Sequence, residues 1–210
     1  MNNELKKRIL SSIILIPVIL LIIINGSIVF NLFLTVCLVI ILYEWHMMSK
    51  NKNYYYFGIF FLILSFYTIY KIYNFKDDHL FFIFILLICI STDIGGYVFG
   101  KILKGPKLTK FSPNKTYAGM IGGFLLSIIS AIIFNFYFNK EIQIDFFIFV
   151  ILISTTSQLG DIIISYFKRL SNIKDTGKII PGHGGLLDRV DGMIFAFPFS
   201  YAIILSGTFN

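Results

Sequence analysis

The sequence predicts an all-α, polytopic integral membrane protein of about seven helices, and three observations support this fold class. Hydrophobic residues make up 57% of the 210 residues, charged residues only 14%, and the mean hydropathy is +0.82. Soluble domains are about 45–50% apolar and about 25% charged. Apolar runs of about the length that crosses a bilayer recur along the whole chain, separated by short polar segments. The prediction is one membrane-embedded domain over residues 1–210, with N-terminal helices over about 1–90 and a part over about 91–210 that contains the candidate functional residues described below.

Seven apolar runs are predicted to span the membrane, at about residues 9–25, 28–43, 54–70, 80–99, 118–138, 146–167 and 187–205. The first follows a basic start like a signal peptide, but it has no small-residue cleavage site and further spans follow it. We therefore expect it to be a retained helix. Asn25-Gly26-Ser27 predicts a tight turn, so that the first two spans form a hairpin. Gly119 and Gly122 in the fifth span predict a close contact with another helix.

The distribution of Lys and Arg predicts the orientation of these spans, because short cytoplasmic loops carry an excess of both. With the N-terminus in the cytoplasm, 15 of the 18 basic residues fall inside and only Lys71, Lys76 and Lys140 fall outside. We therefore expect a multi-pass protein of the inner (plasma) membrane with its active site facing the cytoplasm. The net charge of +7 is then a basic face suited to lipid headgroups or phosphorylated ligands, and nucleic acid is not an expected partner.

Asp161 is the first candidate for chemistry, since it ends a long apolar run where an acid costs about 2.5–3.5 kcal/mol unless it is paired or binds a cation. On a helix, Asp161, Ser165 and Lys168 would lie in a row on one face. An internal ion pair that fixes helix packing is the alternative interpretation. The segment of residues 91–123, with five lysines, is the second polar region, and its alternative interpretation is a solvated cytoplasmic loop.

Asp188 and Asp191 are three residues apart at the predicted start of the last span, where they would share a helix face. Carboxylates beside Lys and Arg suit magnesium, which combines one or two carboxylates with phosphate oxygens of a substrate. The preceding turn, residues 181–185, contains His183 between glycines, whose backbone N–H groups can converge on an anion. Phosphate chemistry is therefore expected here, although the chain has neither a Walker phosphate loop nor a dinucleotide-binding turn.

The segment from Ser165 to Asp191 resembles the signature of the phosphatidate cytidylyltransferases, or CDP-diacylglycerol synthases. The matching positions are Ser165, Lys168-Arg169, Lys174-Asp175, His183-Gly184-Gly185 and Asp188-Arg189-x-Asp191. The resemblance extends upstream through Gly160-Asp161 and residues 112–116. One departure is Ala118, where family members often carry Glu, so no role for that acid is transferred to this chain.

The resemblance implies a membrane-embedded homodimer that binds CTP and admits phosphatidic acid from the surrounding membrane lipids, with Mg²⁺ in two cation sites. Asp161 and Asp188 would be metal carboxylates, with Asp191 as a third. The other residues implied as catalytic are Lys168, Arg169, Lys174, Asp175, His183 and Arg189, and those implied as substrate-binding are Ser112, Asn114, Lys115, Ser165, Gly184 and Gly185. The implied reaction joins a phosphate oxygen of phosphatidic acid to the α-phosphorus of CTP and releases pyrophosphate, as a step in phospholipid biosynthesis.

Two alternatives remain open from the sequence. A transporter would use intramembrane acids to bind a coupling cation or proton, but it would not need the basic residues that lie beside these acids. Another CTP-dependent enzyme of lipids, such as a polyprenol kinase or an archaeal-type lipid cytidylyltransferase, would share the phosphate chemistry. These CTP-dependent enzymes differ in the lipid that accepts the transferred group, and the sequence does not identify the residues that select this lipid.

Overall fold

The computed structural model of the chain describes residues 17–24, 26–75, 79–109, 112, 114–138, 143–180 and 184–207. These residues are helical, with two isolated bridges and no strand among them, which confirms the all-α prediction for this part of the chain. The described part of the first helix, α1, is residues 17–24. The following helices are α2 (Ser27–Ser49), α3 (Tyr55–Tyr73), α4 (Leu80–Leu103), α5 (Tyr117–Tyr137), α6 (Ile144–Leu170), α7 (Leu187–Val190) and α8 (Met193–Ser206).

Within the described ranges, five helices, α2 to α6, are long and apolar enough to cross a membrane, as expected of a multi-pass membrane protein. They correspond to the second to sixth predicted spans. The first predicted span lies mostly outside the described residues.

The last predicted span is divided into the four-residue α7 and the 14-residue α8. Between them Gly192 N donates to Asp191 Oδ1 at 2.9 Å, and such local side-chain bonds compete with helix continuation. Asp188 therefore lies in α7 and Asp191 in the turn after it, so the expectation that both share one helix face is wrong.

The chain divides into two compact units, each assembled from two separate stretches. The first unit combines Met1–His79 with Lys168–Val190, and the second combines Leu80–Phe167 with Asp191–Asn210. The unit boundary at Phe167 falls within α6, so that α6 supplies residues to both.

The α2–α3 hairpin forms the body of the first unit. Near the start of α2 and the end of α3, the Phe30 and Tyr73 rings stack with centroids 3.6 Å apart. At the opposite end, Trp45 Nε1 donates to Tyr55 O at 3.1 Å, and Gly58 is required because a Cβ there would overlap the Trp45 ring. Contacts at both ends, each joining the start of one helix to the end of the other, make α2 and α3 antiparallel neighbours.

A glycine-mediated contact between α4 and α5 organises the second unit, and it confirms the predicted close helix approach at Gly119. A Cβ on Gly119 would lie 2.6 Å from Gly96 O, so the two backbones leave no room for a side chain there. Helix α6 is joined to this pair through Thr92 Oγ1, which donates to Ser154 Oγ at 2.8 Å. Phe82 and Phe197 stack between α4 and α8.

Candidate functional site

The carboxylate of Asp188 anchors the described residues, 171–180 and 184–186, of the loop between α6 and α7 in the first unit. Lys168 Nζ at the end of α6 donates to Asp188 Oδ1 at 2.8 Å. The backbone N–H groups of Thr176 and Gly185 donate to Asp188 Oδ2 at 2.8 and 3.0 Å. The Asp188 side chain is only 4% exposed. Both of its oxygens are thus engaged by donors from the chain itself.

A second carboxylate, that of Glu44 in α2, accepts hydrogen bonds from the same loop. The sequence did not lead us to predict Glu44 as a site residue. Glu44 is 1% exposed and accepts from Thr176 Oγ1 at 3.0 Å, Leu186 N at 2.9 Å and Leu187 N at 2.8 Å. The last two donors are backbone groups at the start of α7, which have no partner within the helix. Together with Asp188, Glu44 defines the Glu44–Asp188 cluster, whose members are Glu44, Lys168, Thr176, Gly185, Leu186, Leu187 and Asp188.

Two glycines of the loop are explained by this cluster. A Cβ on Gly177 would lie 2.6 Å from Glu44 Oε1, and a Cβ on Gly185 would lie 2.7 Å from each Glu44 carboxylate oxygen. Gly184 adopts φ +91°, a region that favours glycine, and Ile180 N donates to Gly184 O at 3.0 Å. The anion that the described loop N–H groups bind is therefore the protein's own carboxylates. His183, with Pro181 and Gly182, lies outside the described residues.

A second carboxylate–lysine pair, Asp161 with Lys115, lies in the second unit. Lys115 Nζ is 2.6 Å from Asp161 Oδ2, and Ser165 Oγ donates to Asp161 Oδ1 at 3.5 Å, which agrees with the predicted spacing on α6. The contact is a charge pair without good hydrogen-bond geometry, since Lys115 Nζ has no hydrogen-bond partner among the described residues. The Asp161 side chain is 33% exposed. The ion pair of the alternative interpretation is therefore present, but this carboxylate keeps an accessible face.

A short hairpin-like loop between α4 and α5 positions Lys115. Lys107 and Thr116 form an antiparallel bridge, and Leu108 N donates to Lys115 O at 2.7 Å. Thr116 Oγ1 accepts from Gly119 N at 3.1 Å and so caps α5. The connection between these two helices is shorter than expected, because α4 continues to Leu103 and not only to about residue 99. Its described residues next to α5 are ordered by the backbone hydrogen bonds given above.

The remaining predicted site residues have varied positions. Arg169 Nη1 donates to Ile173 O at 3.1 Å, which turns the chain after α6. Asp191 is buried in the second unit. Four others are exposed on their own unit: Lys174, Asp175 and Arg189 on the first and Asn114 on the second. Ser112 N donates to Thr109 Oγ1 at 3.2 Å.

The predicted metal carboxylates differ in how well their surroundings suit a magnesium ion. The described residues contain no group of three or more His, Cys, Asp or Glu side chains close enough to hold a metal. Magnesium often takes only one or two carboxylates and completes its ligands with water and phosphate oxygens. Asp161, with its accessible face and single charged partner, fits that role. Asp188 fits it only if Lys168 gives up Oδ1, because its other oxygen already holds two backbone N–H groups.

Comparisons with known proteins agree with the resemblance seen in the sequence. The sequence profile described as "Cytidylyltransferase family" matches residues 6–77 and 55–206. A protein of Rickettsia bellii named phosphatidate cytidylyltransferase is 37% identical over 96% of this chain and 91% of its own length. Proteins with the same name from Staphylococcus haemolyticus and Bacillus subtilis are 41% and 38% identical over 59% and 67% of this chain, and the chain spans about half of their length, 48% and 54%. The chain belongs to the cytidylyltransferase family.

Proposed function

We propose that the chain is a phosphatidate cytidylyltransferase, which converts CTP and phosphatidic acid into CDP-diacylglycerol and pyrophosphate. The observation that carries this proposal is the similarity to the Rickettsia bellii protein of that name, which extends over nearly all of both chains. A phosphate oxygen of phosphatidic acid attacks the α-phosphorus of CTP. The bond from that phosphorus to the bridging oxygen breaks, and pyrophosphate leaves with the electron pair.

The lysines of the two carboxylate pairs have the chemistry that this reaction needs. Its nucleophile is already an anion, so the chief obstacle is the approach of two polyanions rather than proton removal. Lys115 and Lys168 are each paired with one carboxylate, at 2.6 and 2.8 Å, and in the proposed reaction their ammonium groups would contact phosphate oxygens. The exposed Lys174 and Arg189 add positive charge on the first unit. Charge stabilisation by fixed cations is the main contribution that we assign to the protein.

Magnesium, in two cation sites, would be held by Asp161 and Asp188 with Asp191 as a third carboxylate. When bound, it would neutralise phosphate charge and stabilise the leaving pyrophosphate. Asp161 would hold its ion with least rearrangement, because its side chain is one-third exposed. Asp188 would first release Lys168, which would then be available to the substrate phosphates.

We also propose the seven-span topology with a cytoplasmic N-terminus, an active site on the cytoplasmic face of the inner (plasma) membrane, and a homodimer. The excess of Lys and Arg in the segments assigned to the cytoplasm supports the orientation. CTP is a cytosolic nucleotide, which agrees with that placement.

The proposal is tested by following radiolabelled CTP into lipid with the purified full-length chain in micelles that contain phosphatidic acid and Mg²⁺. We expect labelled lipid that requires phosphatidic acid and disappears with a chelator. Asp161→Asn should lower turnover about 100-fold or more, the loss typical of removing one group that stabilises transition-state charge. Asp145→Asn is the matched control, because Asp145 is an exposed acid in the first turn of the same helix.

Parallel reactions replace phosphatidic acid with a polyprenol, a polyprenyl phosphate or an archaeal-type ether lipid, and each is run with CTP labelled at the α-phosphorus and with CTP labelled at the γ-phosphorus. A polyprenol kinase would transfer only the γ-phosphoryl group and release CDP, whereas a cytidylyltransferase transfers cytidine with the α-phosphorus. Label that enters one of these lipids, and not phosphatidic acid, would contradict the assigned acceptor. A folded preparation that transfers label to no lipid would contradict the assignment as a lipid cytidylyltransferase and would favour the alternative of a transporter. Full activity of Asp161→Asn would leave the reaction standing but exclude Asp161 as a necessary metal ligand.

A further inference from the structure

We propose that Glu44 is a positioning residue for this site: its carboxylate holds the described loop residues 171–180 and 184–186 so that Asp188 and Lys168 keep their places. The inference rests on the proposed function. It assigns a role to α2, a helix in which the sequence signature has no counterpart. Glu44 lies 143 residues before Leu187 in the chain, yet their contact belongs to one compact unit.

The first argument is that the donors of Glu44 alternate with those of Asp188. Thr176 donates through its backbone N to Asp188 and through its hydroxyl to Glu44. Gly185 N donates to Asp188, and the next two backbone N–H groups, of Leu186 and Leu187, donate to Glu44. A shift of either carboxylate therefore displaces donors of the other.

The second argument concerns charge. Glu44 is 1% exposed, and no ion pair among the described residues includes it. A buried carboxylate without a cation has to be stabilised by hydrogen bonds, and here the three donors among the described residues all belong to the loop and the start of α7. The carboxylate and the loop conformation consequently depend on each other.

The third argument is steric. Gly177 has no room for a Cβ because the Glu44 carboxylate occupies that space, and at Gly185 the Thr176 hydroxyl and the Glu44 carboxylate occupy it together. A second link, between Tyr54 Oη and Ser171 Oγ at 2.9 Å, attaches the beginning of the loop to the start of α3. The α2–α3 hairpin thus holds the loop at both ends, with Glu44 at the end that bears Asp188.

The experiment compares Glu44→Ala, Glu44→Gln, Thr176→Val and the Glu44→Ala/Thr176→Val double variant in the full-length protein. Thr176→Val removes the hydroxyl that reaches Glu44 but keeps the backbone N–H that reaches Asp188. Ser49→Ala is the matched control, because it removes a hydrogen bond from a residue that is 1% exposed in the same helix, within α2 only. The readouts are kcat and KM for CTP per folded protein, and amide hydrogen exchange of peptides that cover residues 171–187.

For Glu44→Ala we expect kcat to fall about 10- to 100-fold, as for other residues that orient a reacting group, with a smaller change in KM. Glu44→Gln should recover part of this loss, since its amide oxygen still accepts a backbone N–H. The double variant should be no worse than Glu44→Ala by more than about twofold, because both changes break the same contact. Exchange at residues 171–187 should accelerate in the Glu44 variants and stay unchanged in Ser49→Ala.

A folded Glu44→Ala protein with unchanged kcat would overturn the proposal, and so would an equal loss in Ser49→Ala, which would indicate a general effect of weakening α2. If Glu44→Ala does not fold, Glu44→Gln and Thr176→Val decide by the same criteria. If the wild-type protein transfers label to no lipid, the proposed function fails by itself. In that case unchanged loop exchange in Glu44→Gln overturns the positioning role, and accelerated exchange supports it.

Discussion

Removing the Asp188 carboxylate should destabilise the protein strongly, independently of any effect on chemistry. Asp188→Ala leaves the Lys168 ammonium, whose side chain is 11% exposed, without its partner, and it leaves the N–H groups of Thr176 and Gly185 without an acceptor. Breaking a buried ion pair by deleting one partner costs about 3–5 kcal/mol, against about 0–1 kcal/mol for an exposed pair.

Each abandoned backbone N–H would add about 1–3 kcal/mol if water did not reach it. Water that enters the space left by the side chain would offset part of this cost. We therefore expect Asp188→Ala to lower the free energy of unfolding by an amount near the upper end of about 3–5 kcal/mol. Asp188→Asn should cost less, since the amide oxygen still accepts a backbone N–H. The Lys168→Met/Asp188→Leu double variant should be less destabilised than Asp188→Ala, because it leaves no unpaired charge.

The assay is denaturant-induced unfolding in mixed micelles, followed by the fluorescence of Trp45. Trp45 is the single tryptophan of the chain, is 2% exposed and belongs to the same unit as Asp188. A loss below about 1 kcal/mol for Asp188→Ala would place the Lys168–Asp188 pair in the class of exposed ion pairs and would contradict its description as a buried pair. Loss of folded protein would also lower the measured turnover. An inactive Asp188→Ala protein therefore identifies a metal ligand only when turnover is expressed per folded molecule.

Three further predictions address other contacts. Gly119→Ala should destabilise the protein by about 1–3 kcal/mol in the same unfolding assay, because its Cβ would lie 2.6 Å from Gly96 O, whereas Gly96→Ala, with 3.8 Å to its nearest neighbour, should be near neutral. Thr92→Val should cost about 1–3 kcal/mol, since it leaves the buried Ser154 hydroxyl without its donor, and an unchanged unfolding midpoint would contradict that. Lys115→Met should raise KM for CTP about tenfold, which corresponds to the loss of one contact of about 1.4 kcal/mol. The free energy of unfolding should change little, because Asp161 is partly solvated. An unchanged KM would show that Lys115 does not bind the substrate.

Hydropathy was sufficient to predict the helices α2 to α6, because their apolar runs are long and continuous. Local spacing was sufficient for the Asp161–Ser165 pair and for the glycine contact at Gly119, since both depend on helix periodicity or on the absence of a side chain. The break before α8 was missed because hydropathy averages over the whole apolar run, whereas the break is local and is accompanied by the hydrogen bond from Gly192 N to Asp191 Oδ1.

Glu44 was missed although its signal was present. It directly follows an apolar run, as Asp161 does, and the same argument about the cost of an acid in a membrane span applies to both. Asp93, within the apolar helix α4, also meets that criterion. What the sequence lacks is the partner: the donors of Glu44 are a hydroxyl and backbone N–H groups 132 to 143 residues away, and backbone groups carry no residue-specific pattern.

The separation between Glu44 and its donors has a consequence for biosynthesis. At about 5–20 residues per second, the ribosome would add Leu187 roughly 7–30 s after Glu44. Until Thr176 is added, 132 residues after Glu44, the α2–α3 hairpin would be made and inserted while its acid still lacked all three donors. The first unit can close only after the whole stretch of residues 80–167 has been translated. A chain that stalls before residue 176 would therefore carry the Glu44 carboxylate without any of these three donors.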